Sequence, residues 1–338
     1  MVAAIANYLI SKNFAVKIIT YDGSLQSTLP MQENIEVSSI PISSMHLQKS
    51  FTSKIKNFFA DIYRYKTHNK DVKNYSYLIA TDNTIATIVY YAFRNSAKKI
   101  IIWEHLSYVK ITSAFWKYMR RKVYPKVYSV VALNKEEEDF YTHAGCKVKY
   151  IPNFIQQQNI KLQNPDHFIW VGLLAKEKGT QELLQLSKKI KEENQNIQII
   201  VYGQGVEEAE IRKYILKHAL QNIIVLKGLE KNVEIIYNNA TALLLTSKFE
   251  CFPMVILEAF SFGVPVIAFD CPTGPRNLIE TGKTGFLIEE NNVDAMFEKM
   301  LLLKNNGSLY KQFSEASFRE SHKYNPVKIK QQWDTLLA

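Results

Sequence analysis

The chain has 338 residues, 47% of them apolar and 22% charged, and a net charge of +10. That balance excludes wholesale disorder and low-complexity fibre, and the length suits two domains of roughly 100–200 residues each. Three cysteines, Cys146, Cys251 and Cys271, are too few and too scattered for a disulfide framework or a zinc site, which fits a reducing, cytoplasmic setting.

Taken in chain order, Ala3 to Lys12 reads as a helix and Ala15 to Thr20 as a strand. Tyr77 to Ala80 is a short strand, followed by a helical stretch from Thr84 to Arg94. Lys99 to Trp103 and Ser129 to Leu133 are strands, and Lys135 to His143 is helical again. These β-branched runs lack polar alternation, the mark of parallel strands covered on both faces by helices. The pattern restarts near Ile151-Pro152-Asn153. Strands are expected at His167 to Val171, Gln198 to Tyr202, Ile223 to Leu226, Ala242 to Leu245 and Val264 to Ala268, with a helix from Thr180 to Asn194 and others between them. Gln156 to Pro165 is polar and aperiodic, a linker. The expected fold is therefore α/β, with two doubly wound, Rossmann-like domains and a cleft between them: residues 1–155, residues 166–320, and a helical segment 321–338 returning toward the first domain. A doubly wound domain opens on a strand and a Gly-rich turn, whereas this chain opens inside a helix, so the first domain is expected to lack its first strand. The opening MVAAIANYLI has no basic residue before it and makes a poor signal peptide, and no apolar run approaches the roughly 18 residues of a membrane span.

The densest signal runs from Ser247 to Leu287, SKFECFPMVILEAFSFGVPVIAFDCPTGPRNLIETGKTGFL. Pro253 suits the first turn of a helix, where its missing N–H would be unpaired anyway, and Gly263 ends that helix. Glu250 then lies just ahead of the helix and Glu258 about one and a half turns inside it. The free N–H groups near Phe252, Met254 and Val255, with Pro253 among them supplying none, form an anion site favoured by the helix dipole. A diphosphate suits that place, with one carboxylate reaching a sugar and the other a ribose diol.

Two glutamates with seven residues between them, followed by A-x-x-x-G-x-P-V-I, resemble family 4 of the retaining glycosyltransferases, which have the two-domain GT-B fold. The segments Asp270 to Arg276, Thr281 to Leu287, Gly172 to Gly179 and Tyr202 to Gly205 agree with the resemblance, as does the region Leu133 to Asn153 in the first domain. The resemblance implies that Glu258 binds the ribose hydroxyls of a nucleotide-diphosphate sugar and that Glu250 contacts the donor sugar. Lys178 would hold the diphosphate beside the Gly172 and Gly203 turns. His105, at the carboxyl end of a strand, resembles the histidine set beside the donor sugar. Where the family carries an arginine this chain has Leu173, with Arg276 as its candidate replacement. No metal is implied, and no Asp-x-Asp is present to hold one. Similarity of D-C-P-T-G-P to enzymes of bacterial surface polysaccharide and lipid-linked oligosaccharide synthesis implies a UDP-linked hexose or N-acetylhexosamine donor and a polyprenyl-diphosphate-linked glycan acceptor.

Charge adds a further expectation. Residues 1–150 hold 21 Lys and Arg against 11 Asp and Glu, whereas residues 151–338 balance 21 against 21. The first half should face something anionic. Two stretches, Lys54 to Lys73 and Phe115 to Tyr128, interleave aromatics with basic residues as helices on an anionic membrane do. A solvated face over a core stripe explains either stretch taken alone, and no nucleic-acid recognition motif is present. Two other functions suit the same residues: a GT-B sugar-nucleotide epimerase, or an inactive truncated homologue that binds membrane or partner enzymes.

Overall fold

The computed structural model describes residues 1–21, 31–43, 51–158 and 165–338, with the side chains of 51–55 and 96–98 left aside. The expected linker, 156–165, lies largely outside the described residues. The chain divides into two compact units, Met1–Ile151 with Ile329–Ala338, and Pro152–Lys328.

The first unit runs α1 (Val2–Ser11), β1 (Lys17–Thr20), β2 (Glu36–Ser39), α2 (Phe51–His68), β3 (Leu78–Ala80), α3 (Asn83–Ala92), β4 (Ile100–Trp103), α4 (Ala114–Val123), β5 (Ser129–Ala132), α5 (Lys135–His143) and β6 (Val148–Tyr150). Strands β3 to β6 form a parallel sheet in sequence order, and β1 pairs with β2, also in parallel. Every residue of β4 and β5 is buried, as strands covered on both faces must be. Asp82 starts α3 by accepting the N–H groups of Thr84 and Ile85, and Asn134 starts α5 by accepting that of Glu137. Phe58, Ile88, Ile100, Val123, Val130 and Tyr141 lie in the core between these elements.

The second unit runs β7 (His167–Val171), α6 (Thr180–Glu192), β8 (Ile199–Tyr202), α7 (Glu208–Lys217), β9 (Ile224–Gly228), α8 (Val233–Tyr237), β10 (Ala240–Leu245), α9 (Met254–Ser261), β11 (Val266–Phe269), β12 (Gly285–Ile288), α10 (Val293–Asn305), α11 (Gly307–Ser321) and α12 (Pro326–Leu337), whose last turns belong to the first unit. Its six strands are parallel and ordered β12-β11-β10-β7-β8-β9. Successive strands are laid to one side of β7 and then to the other, so the order reverses between β7 and β10. In open α/β sheets that reversal leaves a crevice at the carboxyl ends of the two strands, where ligands bind.

Three strands escape the sequence pattern. β2 and β6 are short and only partly buried, so their residues, EVSS and VKY, carry little apolar signal. β12 is an edge strand that begins on a glycine. Among the described residues no helix is long and apolar enough to cross a membrane.

Candidate active site

The chain leaves β7 at Val171 and turns through Gly172 to Gly179 before entering α6. It leaves β10 at Leu245 and passes through Thr246 to Pro253 into α9. These are the two exits at the switch point, and side chains fasten them together. The buried Thr246 hydroxyl lies 2.9 Å from the carbonyl oxygens of both Lys178 and Gly179, and accepts a hydrogen bond from Trp170 Nε1 at 3.0 Å. The Lys248 N–H donates to the Glu177 carbonyl at 3.0 Å. Gly179 has φ +73°, and a Cβ there would sit 1.8 Å from the Thr246 carbonyl oxygen, so only glycine fits. This close approach sets Lys178 over the second loop, where its Nζ lies 2.7 Å from Glu250 Oε1. Both side chains are largely sheltered, 29% and 11% exposed, so the pair is screened less than a surface pair.

Glu250 is also fixed through its backbone. Its carbonyl accepts the Gly274 N–H at 3.1 Å and the Thr273 hydroxyl, so the D-C-P-T-G-P-R segment holds the residue in place. The turns holding Gly172 and Gly203 are packed backbone to backbone. At Gly203, φ is +141°, and a Cβ would meet the Gly172 carbonyl oxygen at 1.8 Å. These glycines keep side chains away from the mouth of the switch point.

Pro253 is the residue before α9 rather than its first residue. Its ψ of 105° is extended, and helical geometry begins at Met254. The N–H of Ile256 turns back to the Pro253 carbonyl at 3.1 Å, while those of Met254 and Val255 have no helical acceptor behind them. Phe252 is buried, its ring 5.8 Å from that of Tyr324, so only its main chain is suited to a ligand. Glu258 lies further along α9 and is half-buried. Tyr237 from α8 donates its hydroxyl to Glu258 Oε2 at 2.9 Å, and burial raises the Glu258 carboxyl above the ordinary range despite that bond. Tyr237, like Thr246, carries no sequence signal. It lies in an ordinary apolar run, and only the packing of α8 on α9 reveals it.

Leu173 is exposed, and Arg276 is directed to Asp270, its Nε 2.9 Å from Oδ1. Cys251 and Cys271 are buried and free of disulfides, and burial pushes the Cys271 thiol up to about 12, far from a reactive thiolate.

In the first unit, His105 follows the carboxyl end of β4. Its ring packs 4.4 Å from that of Trp103, and its Nε2 is buried without a protein partner. Burial first, and the nearby N-terminal amine second, lower it to about 4, so the imidazole is neutral at pH 7. Beside it, the fully buried Glu104 accepts the Tyr124 hydroxyl on Oε2 and leaves Oε1 unpartnered. Among the described residues there is no cluster of three or more His, Cys, Asp or Glu side chains placed to hold a metal.

Two parallel α/β units, the second of them doubly wound, give the chain the GT-B fold. Residues 152–320 match the family described as Glycosyl transferases group 1, and the chain belongs to that family. It is similar to an uncharacterized glycosyltransferase of Haemophilus influenzae, 26% identical over 98% of this chain and 94% of that protein. An amylovoran biosynthesis glycosyltransferase of Erwinia amylovora is 25% identical over 71% of this chain and 70% of that protein. The crystal structure of Anabaena HepE in complex with UDP and glucose superposes with a TM-score of 0.73 at 15% identity, covering 96% of this chain and 99% of that one.

Proposed function

We propose that this glycosyltransferase is a retaining enzyme of family 4. In this reading it moves a hexose or N-acetylhexosamine from a UDP sugar to a surface-glycan acceptor carried on a polyprenyl diphosphate at an anionic membrane. The observation that carries the proposal is the Lys178–Glu250 pair, 2.7 Å apart at the switch point and just ahead of the open N–H groups of α9. A sheltered cation and a helix N-terminus together suit a diphosphate. Glu258, held by Tyr237, presents its other oxygen to a ribose diol. The amylovoran relative supports a polysaccharide product, and the UDP and glucose in HepE support the donor.

The chemistry follows from charge. As the glycosidic bond breaks, the sugar gains oxocarbenium character and negative charge collects on the leaving diphosphate. Lys178 and the α9 amides stabilise that charge where it develops, and they need no reorganisation to do so. Without donor, Glu250 neutralises Lys178. With donor, the diphosphate takes over the lysine and Glu250 turns to the sugar hydroxyls. No step calls on a metal.

The test is incubation of the enzyme with UDP sugars and a polyprenyl-diphosphate glycan, with the anomeric configuration of the product read by NMR. Retention is expected, and an inverted product would overturn the assignment. Glu258→Ala should weaken UDP binding by about one to two decades, the loss of a hydrogen bond to a charged group worth roughly 1.5–3 kcal/mol. Unchanged affinity in calorimetry would remove Glu258 from the ribose site.

A further inference from the structure

The two basic–aromatic stretches of the first unit fold into neighbouring helices, and their side chains sort cleanly into inner and outer faces. In α2, Phe58 points inward. Its ring lies 5.9 Å from those of Phe115 and Trp116 of α4, and 6.0 Å from that of Tyr91 of α3. The three helices therefore share one aromatic seam. Outward, α2 presents Lys56, Phe59, Ala60, Tyr63 and Lys66, spaced three or four apart along one exposed stripe. Outward, α4 presents Lys117, Tyr118, Arg121 and Lys122 in the same way, with Lys122 Nζ 5.6 Å over the Tyr118 ring.

Phe59 is 64% exposed, Tyr63 71% and Tyr118 57%, fractions well above those of the aromatics in the seam. Large aromatics left this open among cations are not packing a core. Charge identifies what they meet. Asp61 is the only carboxylate in the three helices, and it is fully buried, bonded to the Ser43 N–H and paired with Arg64. The outer face is thus basic and aromatic with no acidic residue. A second copy of the same face would bring cation against cation. An anionic bilayer offers acidic headgroups to the lysines and an interfacial layer in which Phe and Tyr rings settle.

We propose that the outer face of α2 and α4, with Phe59, Tyr63 and Tyr118 as interfacial anchors and Lys117, Arg121 and Lys122 as headgroup contacts, docks the enzyme on an anionic lipid bilayer. The inference deepens the reading above by assigning its membrane contact to a surface. Arg120 is not part of that surface, although it stands in the same basic run. It is buried, its guanidinium lies 4.9 Å from the Phe140 ring centre, and it donates to the Tyr108 carbonyl at 3.2 Å.

The experiment is cosedimentation of the whole protein with vesicles of phosphatidylcholine alone or with phosphatidylglycerol. Binding should need the anionic lipid and fall steeply between low and high salt. The triple variant Lys117→Gln, Arg121→Gln, Lys122→Gln should bind roughly a hundredfold more weakly, at about fivefold per cation. The double variant Phe59→Ser, Tyr63→Ser should also bind more weakly, on the order of tenfold, while keeping the salt dependence of the parent. Equal binding to neutral vesicles, variants that bind like the parent, or a dimer in ultracentrifugation that the double variant breaks would each overturn the proposal. UDP calorimetry on the same variants separates this outcome from that of the donor site. Unchanged UDP affinity with lost vesicle binding is the expected pattern, and failure of UDP binding by the parent would count against the catalytic reading alone.

Discussion

At the scale of single residues, the two sheets treat their carboxyl groups in opposite ways. Glu250 has a cation at hydrogen-bond distance, Lys178 Nζ 2.7 Å from its Oε1, just ahead of α9. Glu104 is fully buried with the Tyr124 phenol on Oε2, and Asp82 and Glu137 add negative potential. Burial, foremost, raises it to about 8 from an ordinary 4.5, although the Tyr124 hydroxyl and the Leu106 N–H oppose the shift. Folded protein therefore holds this proton up to about pH 8, whereas unfolded chain releases it near 4.5. Because the native state binds more protons through that window, stability falls as pH rises across it and levels off above about 8. His105 acts in the other direction. Lowered to about 4, it removes stability as pH falls from 6.5 toward 4. Between pH 6.5 and 8 the Met1 amine, lowered from 8.0 by burial, also contributes, so Glu104 is read as a difference between parent and variant. Glu104→Gln accepts the same Tyr124 hydrogen bond and has no proton to lose, so its melting temperature relative to the parent should climb across that interval. A constant offset between the two would show that Glu104 is already ionised when folded.

At the scale of elements, the site depends on how closely two loops approach. Gly179 lets the exit of β7 touch the exit of β10 at Thr246, and that contact carries Lys178 to Glu250. Gly179→Ala puts a methyl group against a main-chain carbonyl at a left-handed φ, which should cost on the order of 3 kcal/mol and splay the loops. The expected signature is a lower melting temperature together with a UDP affinity reduced as in Lys178→Ala. A variant that is destabilised yet binds UDP normally would show that the loop contact does not position the lysine. Much of this architecture is legible in the sequence. The buried strands IIIW, SVVA and ATALLL are runs of mostly apolar residues without polar alternation. What is illegible is what one element does to another. Tyr237 reaches Glu258 only because α8 packs on α9. Thr246 is an ordinary strand-end threonine until Gly179 lies against it. Arg120 and Arg121 are adjacent in sequence, yet one is buried on Phe140 and the other exposed, a division set by the helix face.

At the scale of the molecule, the two units are not consecutive pieces of chain. The last ten residues, Ile329–Ala338, return to the first unit after the second is complete. In α12, Ile329, Trp333, Leu336 and Leu337 are buried, and the Trp333 ring lies 4.9 Å from that of Trp103 at the end of β4. Asp334 accepts the Tyr8 hydroxyl of α1 at 2.6 Å, and Lys330 lies over the Tyr8 ring at 5.3 Å. The final helix therefore packs against the carboxyl end of β4, just ahead of Glu104 and His105. Emptying the Trp333 site leaves a cavity worth roughly 3–5 kcal/mol, a large share of a domain margin of about 5–15. Trp333→Ala should lower the melting transition of the first unit and leave that of the second in place. UDP affinity, which in the proposed site draws on residues between Gly172 and Glu258, should be retained while sugar transfer falls with the first unit. Calorimetric unfolding of parent and variant, with and without UDP, tests this directly. UDP should raise only the transition that the mutation leaves alone. A single transition that moves as one in both proteins would show that the units unfold together and that α12 supports both.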